Sequence, residues 1–372
     1  MTEETLTTAN QMTPLAGYLA GVDSIPLSEL ALYLGVLTPQ QFDVAESETG
    51  AFLSGAAVHD LGWLRRIDVK GEDRFRWLSG MVTNGVDLLP DNSGAYNLVL
   101  NAQGRIQGDA YVWRNGGALE LEITAEQTEA LLNHLDRFII MDDVELGPLT
   151  EHSALGLAGP QAGDVLSKLG LPAPSDDLAV ATGVFGGVPA QVFRGYGPVV
   201  PHFAIWVADQ QIPAIWQALR AAGATAVGTR SVETLRIVEG IPAYGIDIQS
   251  RDLAQETGQT RALNFTKGCY LGQEIVERIR SRGQVHRHLR ALELKAEDSA
   301  ETPAVGTSLH ISGNNPDAKP AGTISSVACL QRNGTRRIFA IAMIRAEAET
   351  GNQPLNYPGG TAQILYSPPN LT

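Results

Sequence analysis

The order in which hydrophobic periodicity changes along this chain constrains its fold more than any other feature. From Ala56 onward, segments that alternate like half-buried strands are interleaved with segments spaced like amphipathic helices, and hairpins occur among them. After Arg287 the helical spacing stops and short strand-like stretches follow one another. Strict alternation of single strands with helices builds a doubly wound parallel sheet, whereas hairpins mixed with helices build α+β sheets. The first part of the chain is therefore expected to be α+β. The last part presents Leu289–Leu294, Ser308–Ile311, Ala321–Val327, Ile338–Ile344 and Thr361–Leu365, separated by Gly, Asn, Pro and Asp clusters. A small antiparallel barrel suits that pattern, because closure leaves no strand edge open.

Taken in order, residues 1–50 combine a polar lead with Leu27–Leu34, which reads as a short helix, and are expected to form an N-terminal extension. His59–Gly71 reads as strand material ending in glycine. A helix is expected from Glu72 to about Val82, with Phe75, Leu78 and Val82 at helical spacing and Trp77 and Met81 widening the stripe. Asn97–Trp113 reads as strand, turn and strand with Gly104 near the bend, and Leu119–Ile123 as a strand. Glu126–Arg137 follows as a helix, and Phe138–Ile140 as the start of the next strand. Leu155–Pro160 opens a second α+β region, with strands in Val180–Phe193 and His202–Val207 and a helix over Ile212–Ala222.

With 372 residues, 44% of them hydrophobic, there is enough chain for two or three domains at about 150 residues each. The balance of 27 basic to 41 acidic residues gives a net charge of -14, which opposes stable direct binding to nucleic acid or to an anionic membrane. Arg278, Arg280, Arg282, Arg287 and Arg290 form a local basic stretch, either a solvated helix-to-strand edge or an anion site. The two cysteines, Cys269 and Cys329, form neither a C-x-x-C site nor a disulfide framework, as expected of a reducing compartment. The start of the chain has no basic region leading into an apolar run, and no apolar run approaches the roughly 20 residues of a membrane helix. A cytoplasmic protein is expected.

Chemistry concentrates in Asn264–Leu289. Asn264–Thr266 reads as a strand end, and Gly268 and Gly272 permit backbone shapes that other residues resist. A helix then starts at Gln273, with Ile275, Val276 and Ile279 on one face and Glu274, Arg278 and Arg282 one turn apart on the other. Lys267 and the start of that helix would both favour a thiolate at Cys269. The alternative is a small buried hydrophobe at a tight turn. Arg230 and Arg236, beside and within a helix that carries Val232, Leu235 and Val238, read by placement as helix-capping or surface residues. His286 and His288 project to one strand face without a third ligand nearby, and no metal site is expected.

Lys267-Gly268-Cys269-Tyr270-Leu271-Gly272-Gln273-Glu274 is similar to the K-G-C-Y-x-G-Q-E signature of the YgfZ-type folate-binding proteins. These are relatives of the glycine-cleavage T-protein and take part in iron-sulfur protein maintenance. The resemblance extends through Leu235–Asp247 and covers roughly Val58 to the C-terminus. It implies two α+β domains and a C-terminal barrel around a central cavity. The divisions would be an extension at 1–50, a discontinuous folate-binding domain at 51–150 plus 229–285, a second α+β domain at 151–228 and the barrel at 286–372. It further implies tetrahydrofolate as cofactor, Cys269 and Lys267 as the reactive pair, and cofactor contacts at Arg230, Arg236, Tyr244, Asp109, Gln273 and Glu274. The implied partners are iron-sulfur client or assembly proteins, tRNA-modifying radical enzymes among them. The hairpin Asn97–Trp113 also resembles the T-protein segment L-N-x-x-G-G-x-I-D-D, whose first aspartate serves aminomethyl transfer; Gly108 stands at that position and Asp109 at the second. The T-protein glutamate that contacts the pterin has no counterpart around Gly197–Trp206. The competing expectation is a folate-dependent aminomethyltransferase or demethylase.

Overall fold

The structure is a computed structural model that describes residues 11–22, 29–149, 151–283, 285–297, 301–311, 319–349 and 354–371. Most of the polar lead, together with Leu27, Ser28 and the side chain of Arg282, lies outside the described residues. The chain divides into one unit of residues 1–97 and 109–232 and another of residues 98–108 and 233–372.

Among the described residues, the first unit contains a sheet in the order Val180–Phe185, Val188–Arg194, His202–Ala208, His152–Ala158, Ala57–Asp60 and Thr225–Ala226. Its strands are antiparallel except for the final pair, where Thr225 and Ala226 run parallel to Ala57 and Val58. The helix Ile212–Ala221 covers it with Ile212, Ile215, Trp216 and Leu219, the spacing of a single apolar stripe. Leu15 and Leu19 of the helix Pro14–Gly21 enter the same core as Val58, Leu157, Ile205 and Leu219. Part of the expected extension is thus built into this unit's interior. That helix starts where Thr13 Oγ1 accepts the Ala16 N–H at 3.1 Å, with Pro14 in its first turn.

The other sheet has the order Ser93–Leu100, Ile106–Asn115, Ala118–Thr124, Leu64–Lys70 and Glu145–Leu149. Arg66, buried in it, reaches Glu120 at 2.5 Å and Glu122 at 2.9 Å. Its guanidinium carbon lies 3.8 Å from the centre of the Phe193 ring and 4.6 Å from that of Trp206. A buried cation is tolerated there because both carboxylates and two aromatic faces replace its water.

The second unit holds the barrel. Among the described residues, Arg287–Ala296, Thr335–Arg345, Gly322–Arg332, Ser308–Ile311, Leu355–Tyr357 and Gly360–Leu365 pair in that order and close as Gly360–Leu365 returns to Arg287–Ala296. Every pairing is antiparallel. Leu292, Leu294, Leu309, Ile324, Ala340, Ala342, Ile344 and Ile364 are among the side chains filling its core. The α+β architecture with a C-terminal antiparallel barrel is the expected one.

Three local expectations are corrected. Leu30–Tyr33 is a strand, paired with Val36–Pro39 through a turn in which Leu34 and Gly35 have φ of 46° and 94°. Such a left-handed two-residue turn matches strand twist and overrides the helical preference of Leu and Ala. His59–Gly71 splits at a turn where the Gly62 N–H donates to Asp60 Oδ1 at 2.8 Å, so it contributes to both sheets. Phe138–Ile140 forms no strand, and the next one starts at Glu145. Ile140 and the following Met141 are 81% and 93% exposed, so this apolar run buries little and gives a strand nothing to pack against. No described helix is long and apolar enough to cross a membrane.

Candidate functional site

The signature opens on a side chain that competes with regular structure. Asn264 Oδ1 accepts the Thr266 N–H at 2.8 Å, the Thr266 hydroxyl at 2.9 Å and the Lys267 N–H at 3.1 Å. Asn264–Thr266 is therefore a turn and not the expected strand end, because the amide oxygen takes donors a ladder would need. Cys269 follows with its side chain exposed. Lys267 Nζ lies 4.8 Å from the centre of the Tyr270 ring, a cation–π contact. Burial, reinforced by the Glu277 charge, pushes the Tyr270 hydroxyl up to about 12, which keeps it a neutral phenol. Gln273 Oε1 accepts the Tyr270 N–H at 3.3 Å and so braces the loop around Cys269.

The helix runs over Gln273–Arg282, and Gly272 caps its start with φ of 81°. Of its expected buried face, Val276 is fully buried and Ile275 and Ile279 are partly so. Glu274, 81% exposed, pairs with Arg278 at 2.6 Å on the outer face. A Cβ on Gly272 would stand 2.6 Å from the Asn101 carbonyl oxygen and 3.2 Å from Gly104 Cα. One on Gly104, where φ is 70°, would stand 2.7 Å from the Ile275 side chain. The tip of the hairpin thus rests directly on the start of the signature helix, and both glycines are required by that approach.

Further along the same hairpin, residues of Ile106–Asn115 alternate between faces: Gly108 is buried and Asp109 half-buried on the opposite side. Asp109 Oδ2 accepts the Tyr96 hydroxyl at 2.7 Å, and Oδ1 accepts Gln127 Nε2 at 2.9 Å. Its own N–H donates to Gln127 Oε1 at 3.0 Å. The carboxylate is oriented from both ends.

The two arginines of helix Thr229–Val238 are placed differently. Arg230 is exposed, its Nε on Gln40 Oε1 at 3.0 Å and its Nη1 on Gln41 Oε1 at 3.3 Å. Arg236 is largely buried; Nε and Nη2 donate to Glu233, Nη1 to the Ile241 carbonyl and Asp247 Oδ2 at 2.7 Å each, and Nη2 also to Ser326 Oγ at 3.0 Å. An arginine has five N–H donors, and these contacts engage all of them. Asp247 is buried and accepts Ser325 and Ser326 through Oδ1, both serines reaching it at a bulge in strand Gly322–Arg332. The same residue takes the Ala243 N–H at 3.0 Å and so closes the turn that carries Tyr244, half-buried and bridged to Ile248. Asp247, Ser325 and Ser326 had no role from sequence alone. The spacing of Arg236 and Asp247 was visible, but not their contact.

The remaining basic residues are mostly paired. Arg287 is held by Asp252 and Glu256, each at 2.9 Å, and Glu256 also takes the Leu253 N–H at 2.9 Å, ordering the loop before the signature. His288 Nδ1 meets Glu349 Oε1 at 2.6 Å, and Arg290 reaches the same carboxylate at 2.7 Å. A cleft of about 640 Å³ is lined by His286, Arg287, Lys319, Arg345 and Glu347, with Arg345 paired to Glu347 at 3.1 Å. Among the described residues, no group of three or more His, Cys, Asp or Glu is placed to hold a metal ion.

These features define an α+β protein with a C-terminal barrel, and the fold has a solved counterpart. The structure superposes with a TM-score of 0.81 on the glycine cleavage system aminomethyltransferase T from Bartonella henselae, at 17% identity, over 95% of this chain and 96% of the other. The chain belongs to the GCVT N-terminal domain family, whose model matches residues 27–267. That match begins within the segment expected to be an extension. Among similar proteins, a putative chloroplastic transferase of Arabidopsis thaliana is 28% identical over 266 residues, which is 69% of this chain and 60% of that protein. An aminomethyltransferase of Rubrobacter xylanophilus is 26% identical over 337 residues, covering 88% of this chain and 86% of the other.

Proposed function

We propose that this protein binds tetrahydrofolate and supports the assembly or repair of iron-sulfur clusters in client enzymes, tRNA-modifying radical enzymes among them, with Cys269 as its reactive group. The observation that carries the reading is the exposure of Cys269 on a braced loop within Lys267–Glu274. Gly108 supports it, since no carboxylate occupies the position that serves aminomethyl transfer in the T-protein segment. A thiol accessible to a partner suits cluster chemistry, and a chain with two cysteines must share any cluster with that partner.

For the ligand, Arg230 would hold the anionic tail, because its side chain is exposed and a guanidinium matches a carboxylate in a fork. Arg236 fits a ligand poorly, with its donors engaged in the protein; its role is to hold the turn that carries Tyr244. Asp109 and Tyr244 are further contacts in this reading, while Gln273 and Glu274 brace the loop and the helix surface beside Lys267 and Cys269. A cytoplasmic location follows from the reduced cysteines the reading requires. Calorimetric titration with tetrahydrofolate tests it, with saturable binding expected; absence of binding removes it. Cells lacking the protein should regain iron-sulfur enzyme activity with the wild type and not with Cys269→Ser.

The second reading is a folate-dependent aminomethyltransferase, which the name of the Rubrobacter relative favours. Turnover of an aminomethyl-lipoyl carrier by the purified protein would establish it in place of the first.

A further inference from the structure

We infer that the cleft at the start of strand Arg287–Ala296 binds a compact anion carrying two or more linked phosphates. The inference is separate from the folate and thiol reading, because none of the lining residues is among those assigned above. Three segments build the cleft: His286 and Arg287 at the start of that strand, Lys319 just before strand Gly322–Arg332, and Arg345 to Glu347 where strand Thr335–Arg345 passes into helix Ala346–Glu349. Backbone bonds tie them together. The Ala346 N–H donates to the His286 carbonyl at 2.9 Å, and the Arg345 N–H to the Ala321 carbonyl at 2.8 Å. At about 640 Å³ the cleft falls within the range of small-molecule sites, roughly 300–1,000 Å³.

Its charge is the reverse of the chain's. The net charge of the protein is -14, yet four basic side chains line this cleft against one carboxylate among the described residues. Arg287 and Arg345 are partners in strand register, so both side chains leave the same face of the sheet, where like charges repel. The repulsion is offset from outside the pair. Arg287 engages Asp252 and Glu256 through Nη2 and Nε at 2.9 Å each, and Arg345 engages Glu347 through Nη1 at 3.1 Å. Nη1 of Arg287 and Nη2 of Arg345 keep their N–H donors. Lys319 and His286 are exposed, and neither side chain makes a hydrogen bond or ion pair among the described residues. Lys319 therefore carries the uncompensated charge. Donors that converge from three segments suit the oxygens of a phosphate, which can be approached from several sides, better than a planar carboxylate gripped in one fork. No aromatic ring is among the described lining residues, so a nucleobase would have nothing to stack on and recognition falls on the phosphates alone.

The test is calorimetric titration of the full chain with tripolyphosphate at about 0.15 M salt, where attraction between distant surface charges is screened. Saturable binding at one site is expected, and its absence overturns the inference. Lys319→Gln should weaken binding by about tenfold, the size of one charge-assisted bond, and Arg345→Gln by a similar factor. His286→Ala, which removes a neutral donor, should weaken it by about threefold. Lys319 and His286 are exposed, so their variants decide the matter if Arg345→Gln does not fold. Lys295→Gln removes the same charge from an exposed barrel position outside the cleft and should change affinity by less than about twofold. Equal losses in Lys319→Gln and Lys295→Gln would mean general charge attraction and overturn the inference. Citrate bound as tightly as tripolyphosphate overturns it as well, since the cleft would then take any polyanion.

Discussion

Arg230 and Arg236 sit on one 10-residue helix and are the same residue type, yet one is exposed and the other is largely buried and locked by carboxylates, a carbonyl and a serine. The difference teaches that a guanidinium's availability is set by what surrounds it. A fully engaged, buried arginine holds structure, because removing its water was compensated inside the protein; an exposed one keeps much of its hydration.

The comparison breaks most directly at Asp247. Asp247→Ala leaves Arg236 buried beside a missing partner and should destabilise the protein by about 3–5 kcal/mol in denaturant unfolding. Arg236→Ala should do the same. Loss of tetrahydrofolate binding by Arg236→Ala at unchanged stability would reverse the contrast.

Buried polar groups elsewhere sharpen it through pH. Burial pushes Asp60 up to about 6 and His59 down to about 4. Between these values native Asp60 still holds a proton that the unfolded chain has lost, so its contribution to stability falls as the pH rises. Native His59 is already neutral where the unfolded histidine is charged, so its contribution rises with pH. The slopes oppose, each amounting to about 3 kcal/mol in total. Asp60→Asn should leave stability that increases with pH from about 4 to 6.5, and His59→Gln stability that decreases from about 4 to 6, both read as thermal midpoints across pH.

Smaller effects separate close packing from exposure around the signature. Gly272→Ala forces a positive φ on a residue with a Cβ and presses it against the hairpin, with about 2 kcal/mol of destabilisation expected. Cys269→Ser should change stability by no more than about 0.5 kcal/mol while abolishing thiol alkylation of the native protein at that position. Glu274→Ala removes an exposed pair with Arg278 and should cost about 0.3 kcal/mol.

Long-period features were legible in the sequence. The stripe Ile212, Ile215, Trp216 and Leu219 announced its helix, and the strand runs after Arg287 announced the barrel, because burial of one face imposes its period on the residues. Short segments were not. Leu30–Tyr33 carries helix-favouring residues but pairs as a strand through Leu34–Gly35, and Asn264 turns the chain with a side chain that periodicity does not see.

At the site, residue identity alone determined that a thiol follows Lys267-Gly268, that Gly108 carries no carboxylate, and that Gly104 and Gly272 fall at points of unusual backbone freedom. Tertiary structure decided that those two glycines meet, that Asp247 takes Arg236 and two barrel serines, and that Glu48 joins the start of the Arg230 helix to a segment far earlier in the chain. Each of these is a contact between residues distant in sequence. Local preferences extend over a turn or two, whereas a hydrogen bond or a backbone approach depends on where folding brings the second partner.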